Sequence, residues 1–169
     1  MPDLDIANPA ILQSFSPTLQ DAILAAPLPS LEDGPLDSAF CNMLASDPPR
    51  DLVPNAAHQL DAVISGLWLL AGDIDRSHTL SQDISSREGS YLHGIMHRRE
   101  GDFGNAKYWF RRVGDDHPVI DELSRVATDI HPDACAFVDA IESAKGDQVQ
   151  RCQVVQWSEW QLLMSYLLT

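Results

Sequence analysis

The sequence is poor in cysteine and in basic residues, and each shortage excludes a class of protein. Its three cysteines, Cys41, Cys135 and Cys152, are widely spaced and form no Cys-x-x-Cys pair. This pattern excludes a disulfide scaffold and a cysteine-based zinc site, and it favours reduced thiols in a reducing compartment. Only 11 Lys and Arg residues oppose 25 Asp and Glu residues. Because phosphate backbones and anionic lipid surfaces attract basic proteins, we expect neither nucleic acid nor a membrane as partner.

Long apolar stretches and familiar catalytic motifs are missing as well. The longest apolar runs, 64–72 and 162–168, are too short to span a bilayer. The acidic first residues MPDLDIANPA lack the apolar stretch of a signal peptide. The chain contains no G-x-S-x-G elbow, P-loop, dinucleotide-binding glycine motif or EF-hand loop. We therefore expect a cytoplasmic protein outside the commonest recognisable enzyme classes.

Proline is concentrated near the N-terminus, and helical periodicity dominates the rest of the chain. Nine of the eleven prolines precede Asn55, so residues 1–54 are predicted to form a proline-rich arm that packs on the domain. Residues 55–169 repeatedly place apolar side chains at i, i+3 and i+4, the spacing of a helix with one buried face. The sequence shows no alternating strand pattern. It therefore predicts an all-α fold, a compact helical bundle over 55–169 wrapped by the arm into a single structural domain.

Several helix ends can be assigned from the sequence. Ser16-Pro17 is typical of a cap followed by proline at the first helical position. A helix capped by Asn55 is predicted to stop at Gly72, and a connector to follow around Ser77 and His78. Further helices are predicted over residues 87–100, 104–113 and 119–130, with another starting at His131-Pro132.

Residues 76–118 differ in charge from the rest of this acidic chain. They hold seven of the 11 basic residues against six acids, within a chain whose net charge is −14. They also hold four of the six histidines. Their centre, HGIMHRREGDFGNAKYWFRR, interleaves His, Arg, Glu, Asn, Tyr and Trp. We therefore expect the functional site in this segment.

Residues 88–118 resemble one tetratricopeptide repeat. Gly94, Ala106, Phe110 and Pro118 keep the spacing of that family's small, small, aromatic and proline positions. The resemblance implies a pair of antiparallel helices that approach closely at the two small residues. The family's leading Trp, Leu and Tyr positions are instead occupied by Ser90, His93 and His97.

A longer segment, 67–118, is similar to a family of uncharacterised microbial proteins. The similarity lies in the SHTLSQ and HGIMHRREGDFGNAKYWFRRVGDDHP stretches. It implies an all-helical fold, and no activity comes with it.

His93 and His97 stand four residues apart, so they lie on one side of a helix and can chelate a divalent metal. Glu100, one turn further, would add an oxygen ligand. His78 or His117 would supply a fourth position. The segment HGIMH lacks the glutamate of H-E-x-x-H, so this spacing does not predict a zinc protease. In the alternative, both imidazoles hydrogen-bond to acids or backbone and have a structural role.

Acid–base chemistry is a second interpretation of the same histidines. Imidazole titrates near neutral pH, which makes His93 and His97 the candidate catalytic acid or base. Asp75 and His78, three residues apart in DIDRSH, are a further candidate pair in which the carboxylate orients the imidazole.

Arg99 and Arg112 are candidate ligand-binding residues, because helical projection places both on inward-facing arcs. A guanidinium group binds carboxylate or phosphate with two parallel hydrogen bonds. In the alternative, Arg99 forms a structural ion pair with an acid, of which Asp73 and Asp75 are the nearest candidates. The predicted ligand-binding set is completed by Asn105, Tyr108 and His117.

Two functions are compatible with these features. In the first, a His- and Arg-lined pocket between helices binds a small anionic or polar ligand, with metal- or histidine-assisted catalysis left open. In the second, a tetratricopeptide-like module binds a protein partner through exposed Tyr108, Lys107 and Arg111, while the His, Arg and acid network is structural. A homo-oligomer fits either function.

Overall fold

The computed structural model describes residues 9–56 and 59–169, and its regular structure over those residues is entirely helical. No β-strand occurs among the described residues, so the predicted all-α fold is confirmed. A 3-10 helix at Pro9–Ser14 precedes the α-helices. These are α1 (Pro17–Ala25), α2 (Ser38–Ser46), α3 (Pro49–Leu52), α4 (Leu60–Ala71), α5 (Ile74–Ser81), α6 (Arg87–Arg99), α7 (Phe103–Val113), α8 (Pro118–Val126), α9 (Ala134–Ser143) and α10 (Asp147–Leu168).

The ends of α1 and α4 show how local sequence sets the helix boundaries. Ser16 caps α1, its Oγ accepting a hydrogen bond from the Leu19 amide at 3.3 Å. Helix α4 ends at Gly72, whose φ of 88° is the left-handed conformation that glycine adopts without strain. Both ends agree with the sequence prediction. The predicted Asn55 cap is wrong, because α4 begins at Leu60.

Residues 74–81 form helix α5, where the sequence predicted a connector. The Asp73 carboxylate caps this helix by accepting from the Arg76 amide at 3.0 Å. The buried Ser65 hydroxyl of α4 lies 2.9 Å from that of Ser77, which fixes α5 against α4. The pattern was missed because α5 is short and is held by polar contacts rather than by a periodic apolar face. Its position brings His78 next to α6.

Helices α6 and α7 pack as a close antiparallel hairpin. A Cβ atom built on Gly94 would lie 2.8 Å from ring carbons of Phe110, a separation too short for ordinary packing. Ala106 is fully buried beside them. The two helices end within a residue of their predicted bounds. Their close approach places the histidines of α6 beside the polar and aromatic residues of α7.

The N-terminal arm contributes to the same core as the later helices. Leu19, Ile23 and Phe40 belong to the cluster of buried apolar side chains that the later helices also fill. The irregular connector between α1 and α2 lies against α10, where Gln156 Nε2 donates to the Ser30 carbonyl at 2.9 Å. This contact places the connector at the edge of a cavity described below.

The C-terminal half departs from prediction at α8 and α9. Helix α8 ends at Val126, short of the predicted Ile130, and α9 begins at Ala134 after an Asp133 cap, not at His131. The His131 side chain lies instead fully buried in the turn between them.

Helix α10, with 22 residues, is the longest element described and carries polar side chains into the core. Gln156, Glu159 and Gln161 are all buried along it. Among the described residues, none of the helices has the combination of length and continuous apolarity needed to cross a bilayer.

Candidate functional site

Three histidines from two helices converge on one point, and we call them the histidine cluster: His78, His93 and His97. The ring centroid of His78 lies 5.2 Å from that of His93 and 5.8 Å from that of His97. The His93 and His97 centroids are 6.1 Å apart. The sequence placed His93 and His97 together by helical spacing, and α5 adds His78.

His93 is held from both sides. Its Nδ1 lies 2.9 Å from the Gly89 carbonyl oxygen. Because a carbonyl only accepts, Nδ1 carries the proton and Nε2 keeps a lone pair. The ring stacks on Trp109 with 4.2 Å between centroids. Burial lowers the pKa of His93, so the imidazole is neutral at pH 7.

His97 bridges a carboxylate and an amide. Its Nδ1 lies 2.8 Å from Glu100 Oε2, and its Nε2 lies 3.2 Å from Asn105 Nδ2. The carboxylate accepts and the amide nitrogen donates, which fixes the proton on Nδ1. Both ring nitrogens are therefore engaged within the protein.

This bonding differs from the predicted metal chelate of His93, His97 and Glu100. The described residues contain no group of three or more His, Cys, Asp or Glu side chains arranged to hold one metal ion. The reason lies at His97, because Glu100 bonds its Nδ1 and the Asn105 amide occupies its Nε2, so His97 has no free nitrogen for a metal. The geometry supports the hydrogen-bonding alternative for this pair.

Arg99 lies near the end of α6 and is buried without a carboxylate partner. The residue is 4% exposed, and its Nη1 donates to the Leu69 carbonyl at 2.6 Å. A weaker contact of 3.5 Å joins its Nε to the Glu32 carbonyl. No carboxylate of the described residues forms an ion pair with it, although the charge of Asp33 acts on it favourably. Burial, and then the charge of Arg98, lower the pKa of Arg99 to about 10.

The predicted ion pair of Arg99 with Asp73 or Asp75 is wrong. Asp73 caps α5 and pairs with Arg76. Asp75 is exposed on α5, and the hydrogen bonds of the described residues do not join it to His78. The predicted Asp75–His78 catalytic pair is therefore not formed either.

Arg99 lines a cavity of about 780 Å³, which we call the Arg99 cavity. The cavity is partly open to solvent and is bounded by the connector between α1 and α2, the α6–α7 turn, α9 and α10. Its charged lining residues are Arg98, Arg99, Glu32, Asp33, Glu100 and Glu142. Leu31, Phe103, Ile141 and Val149 supply apolar wall. The volume is typical of a pocket for a small molecule.

Glu100 connects the Arg99 cavity to the histidine cluster. Its carboxylate accepts from His97, and the residue also lines the cavity. The two halves of the predicted His- and Arg-lined pocket are thus neighbours joined by one carboxylate, rather than a single chamber.

Beside Arg99, Arg98 forms a buried ionic network that was not predicted from the sequence. Its Nη1 donates to Glu159 Oε1 at 3.1 Å and its Nη2 to Glu159 Oε2, with both side chains 0% exposed. Tyr91 donates to the same carboxylate at 3.3 Å, and Gln156 accepts from Arg98 at 3.2 Å. The guanidinium carbon lies 4.7 Å from the Phe137 ring centroid. An available signal was Glu159 itself, an acid between two tryptophans in the WSEW stretch of α10.

Arg112 and Tyr108 lie outside the Arg99 cavity, contrary to the predicted ligand-binding set. Tyr108 is 49% exposed, and Arg112 is exposed with its guanidinium carbon 5.4 Å from the Trp109 ring centroid. The helical projection failed for Arg112 because its long side chain extends over Trp109 to solvent.

His117 is also outside the cavity and has a structural position. It is fully buried, and its Nδ1 accepts from the Val119 amide at 3.3 Å, which caps α8. Its Nε2 lies 3.8 Å from Glu88 Oε1.

Buried histidines predict a stability that declines in mild acid. Burial lowers the pKa of His93, His117 and His131 below the ordinary value of 6.5. Below that pH the unfolded chain binds more protons than the folded one, so the stabilisation present above pH 6.5 is lost as the pH falls.

Both ring nitrogens of His131 lack a partner among the described residues. We expect His131→Leu to lose less free energy of unfolding than wild type between pH ~7.5 and ~5.5, because leucine removes the protonation of the unfolded chain at this position. Urea unfolding at both pH values measures this, and parallel losses would contradict it.

The chain matches no protein-family model, no curated protein and no solved structure. The resemblances drawn from its sequence therefore stay predictions. A functional assignment rests on the geometry of the Arg99 cavity and the histidine cluster.

Proposed function

We propose that the protein binds a small polar ligand with an anionic group, a carboxylate or a phosphate, in the Arg99 cavity. The observation that carries the proposal is Arg99 itself, which is buried, lines the cavity and has no carboxylate partner among the described residues. Buried charges in proteins are ordinarily paired or bound to a ligand. A ligand anion would supply the missing partner.

The energetic cost of Arg99 supports a functional reason for its position. A pKa of about 10 instead of 12.5 means that folding disfavours the charged form by roughly 3 kcal/mol. The guanidinium nonetheless stays protonated at pH 7. A bound anion would recover part of that cost, because a nearby opposite charge favours the protonated guanidinium.

Acid–base chemistry on the ligand would run through His97 and Glu100. Glu100 lines the cavity and accepts from His97 Nδ1 at 2.8 Å, so a ligand group at Glu100 would meet a pair able to exchange a proton. His93 stands behind this pair in the histidine cluster. Binding is the proposed function, and this pair is where catalysis would be sought.

A second candidate function is the tetratricopeptide-like interaction module. It is favoured by the exposed surface of α7, where Tyr108 and Arg112 flank Trp109. Lys107 is paired with Asp139 there, which leaves a smaller basic surface than the sequence predicted. This function needs no occupant of the Arg99 cavity, so a ligand screen distinguishes it from the first.

Calorimetric titration with inorganic phosphate, pyrophosphate, citrate and glutamate at fixed ionic strength tests the proposal. We expect at least one of these probes to bind wild type, and Arg99→Gln to weaken that binding about tenfold or more, because a lost charged hydrogen bond costs about that much. The matched control is Arg125→Gln, since Arg125 is 69% exposed and lies outside the cavity. It should bind like wild type. Absence of binding by every probe, or unchanged affinity in Arg99→Gln, would contradict the proposal and favour the interaction module.

A further inference from the structure

The charges around the Arg99 cavity are unequal in number and in depth. Two arginines line it, and one of them, Arg98, is neutralised by Glu159. Arg99 is therefore the one lining arginine left for a ligand. Of the four lining acids, Glu100 is bonded to His97. Glu32, Asp33 and Glu142 form no ion pair among the described residues.

The positive and negative residues that line the cavity differ in how deeply they are buried. Arg99 is buried, whereas the three acids Glu32, Asp33 and Glu142 are exposed. We call these acids the acidic rim. A ligand that reached Arg99 would therefore place its anionic end inside and its other end among carboxylates.

Apolar side chains occupy part of the wall. Leu31 and Ile141 are buried, and Phe103 is half-buried. Such a wall suits a short hydrocarbon segment, because apolar surface is favourably removed from water there. The cavity thus offers a cation, an apolar wall and a group of anions to one molecule.

We infer that the ligand is zwitterionic, with a carboxylate or phosphate on Arg99, a short hydrocarbon spacer along the apolar wall and an amine at the acidic rim. This inference rests on the proposed function and names its ligand class. A purely anionic ligand would pair with Arg99 but meet repulsion from three carboxylates at the entrance. An amine on the same molecule converts that repulsion into attraction.

The test compares matched probes that differ only in the amine. The zwitterions are 3-aminopropanoate, 5-aminopentanoate and 7-aminoheptanoate, each titrated against the corresponding alkanoate, with pentylamine as the cation alone. 3-Aminopropylphosphonate and propylphosphonate make the same comparison for a phosphate-like group. We expect the best zwitterion to bind about tenfold or more tightly than its alkanoate or alkylphosphonate.

Variants separate the two ends of the ligand. Arg99→Gln should weaken zwitterion and anion alike. The triple variant Glu32→Gln, Asp33→Asn and Glu142→Gln should remove the advantage of the amine while preserving or improving the binding of the plain anion. Asp115→Asn is the control, because Asp115 is an exposed acid that does not line the cavity. It should leave every affinity unchanged.

The outcomes distinguish this inference from the proposed function. If alkanoates or alkylphosphonates bind as tightly as their amino forms and depend on Arg99, the ligand is not zwitterionic, and the proposed anion-binding function is kept. If the triple variant still binds the amino forms more tightly than the plain anions, the acidic rim does not bind the amine. If pentylamine binds independently of Arg99 and none of the anionic or zwitterionic probes binds, both proposals fail.

Discussion

Replacing Arg98 by methionine is expected to lower the free energy of unfolding by about 3–5 kcal/mol. Glu159 would then stand in the core without a counter-charge, since both side chains of the pair are 0% exposed. Tyr91 would remain its hydrogen-bond donor, which does not neutralise a charge. Urea unfolding followed by circular dichroism measures the loss.

Two companion variants make the Arg98 experiment specific. The double substitution Arg98→Met and Glu159→Gln should recover half of the loss or more, because it removes both charges together. Arg125→Met deletes an arginine whose side chain is 69% exposed and paired one turn away with Glu122. It should cost less than about 0.5 kcal/mol. A loss below about 1 kcal/mol in Arg98→Met, or no recovery in the double variant, would show that the pair does not stabilise the core.

Replacing the adjacent Arg99 by methionine should have the opposite effect on stability. The substitution removes a buried charge that costs roughly 3 kcal/mol, judged from its pKa of about 10 against 12.5. It also removes the hydrogen bond to the Leu69 carbonyl, worth about 1.5–3 kcal/mol because its donor is charged. That carbonyl keeps a second donor, the Gly72 amide at 3.3 Å, so no acceptor is orphaned. We expect a net gain of up to about 2 kcal/mol without ligand.

The Arg99→Met gain is read by urea unfolding in a buffer free of phosphate and carboxylates. In the same protein, the anionic probe that binds wild type should bind at least about tenfold more weakly. A substitution that raises stability and weakens binding is typical of a functional site. A loss of more than about 1 kcal/mol would instead assign Arg99 a structural role, like that of Arg98.

Opposite results from two neighbouring arginines would also show that the residue type alone does not predict the role of an arginine in this protein. Arg98 and Arg99 are adjacent on α6 and almost equally buried. One is bonded to a carboxylate of α10, and the other only to backbone carbonyls beside a cavity. The same side chain type is structural in one position and available for a ligand in the next.

Local sequence determined most of the helices. The Ser16 cap, the Gly72 stop and the boundaries of α6 and α7 all follow from interactions within a few residues. The pairing of His93 with His97 also follows, since four residues make one helical turn. Where polar contacts replaced apolar periodicity, as in α5, the same reasoning failed.

The sequence by itself determined that this chain is all-helical, that 76–118 concentrates its basic residues and histidines, and that Arg99 points inward. Only the tertiary structure decided which charges meet. Arg98 bonds Glu159 from 61 residues away, and Arg99 bonds the Leu69 carbonyl from 30 residues away. The acidic rim joins residues of the arm to a residue of α9. Helix formation depends on short-range periodicity, whereas a cavity depends on how distant elements pack, and that information is not local.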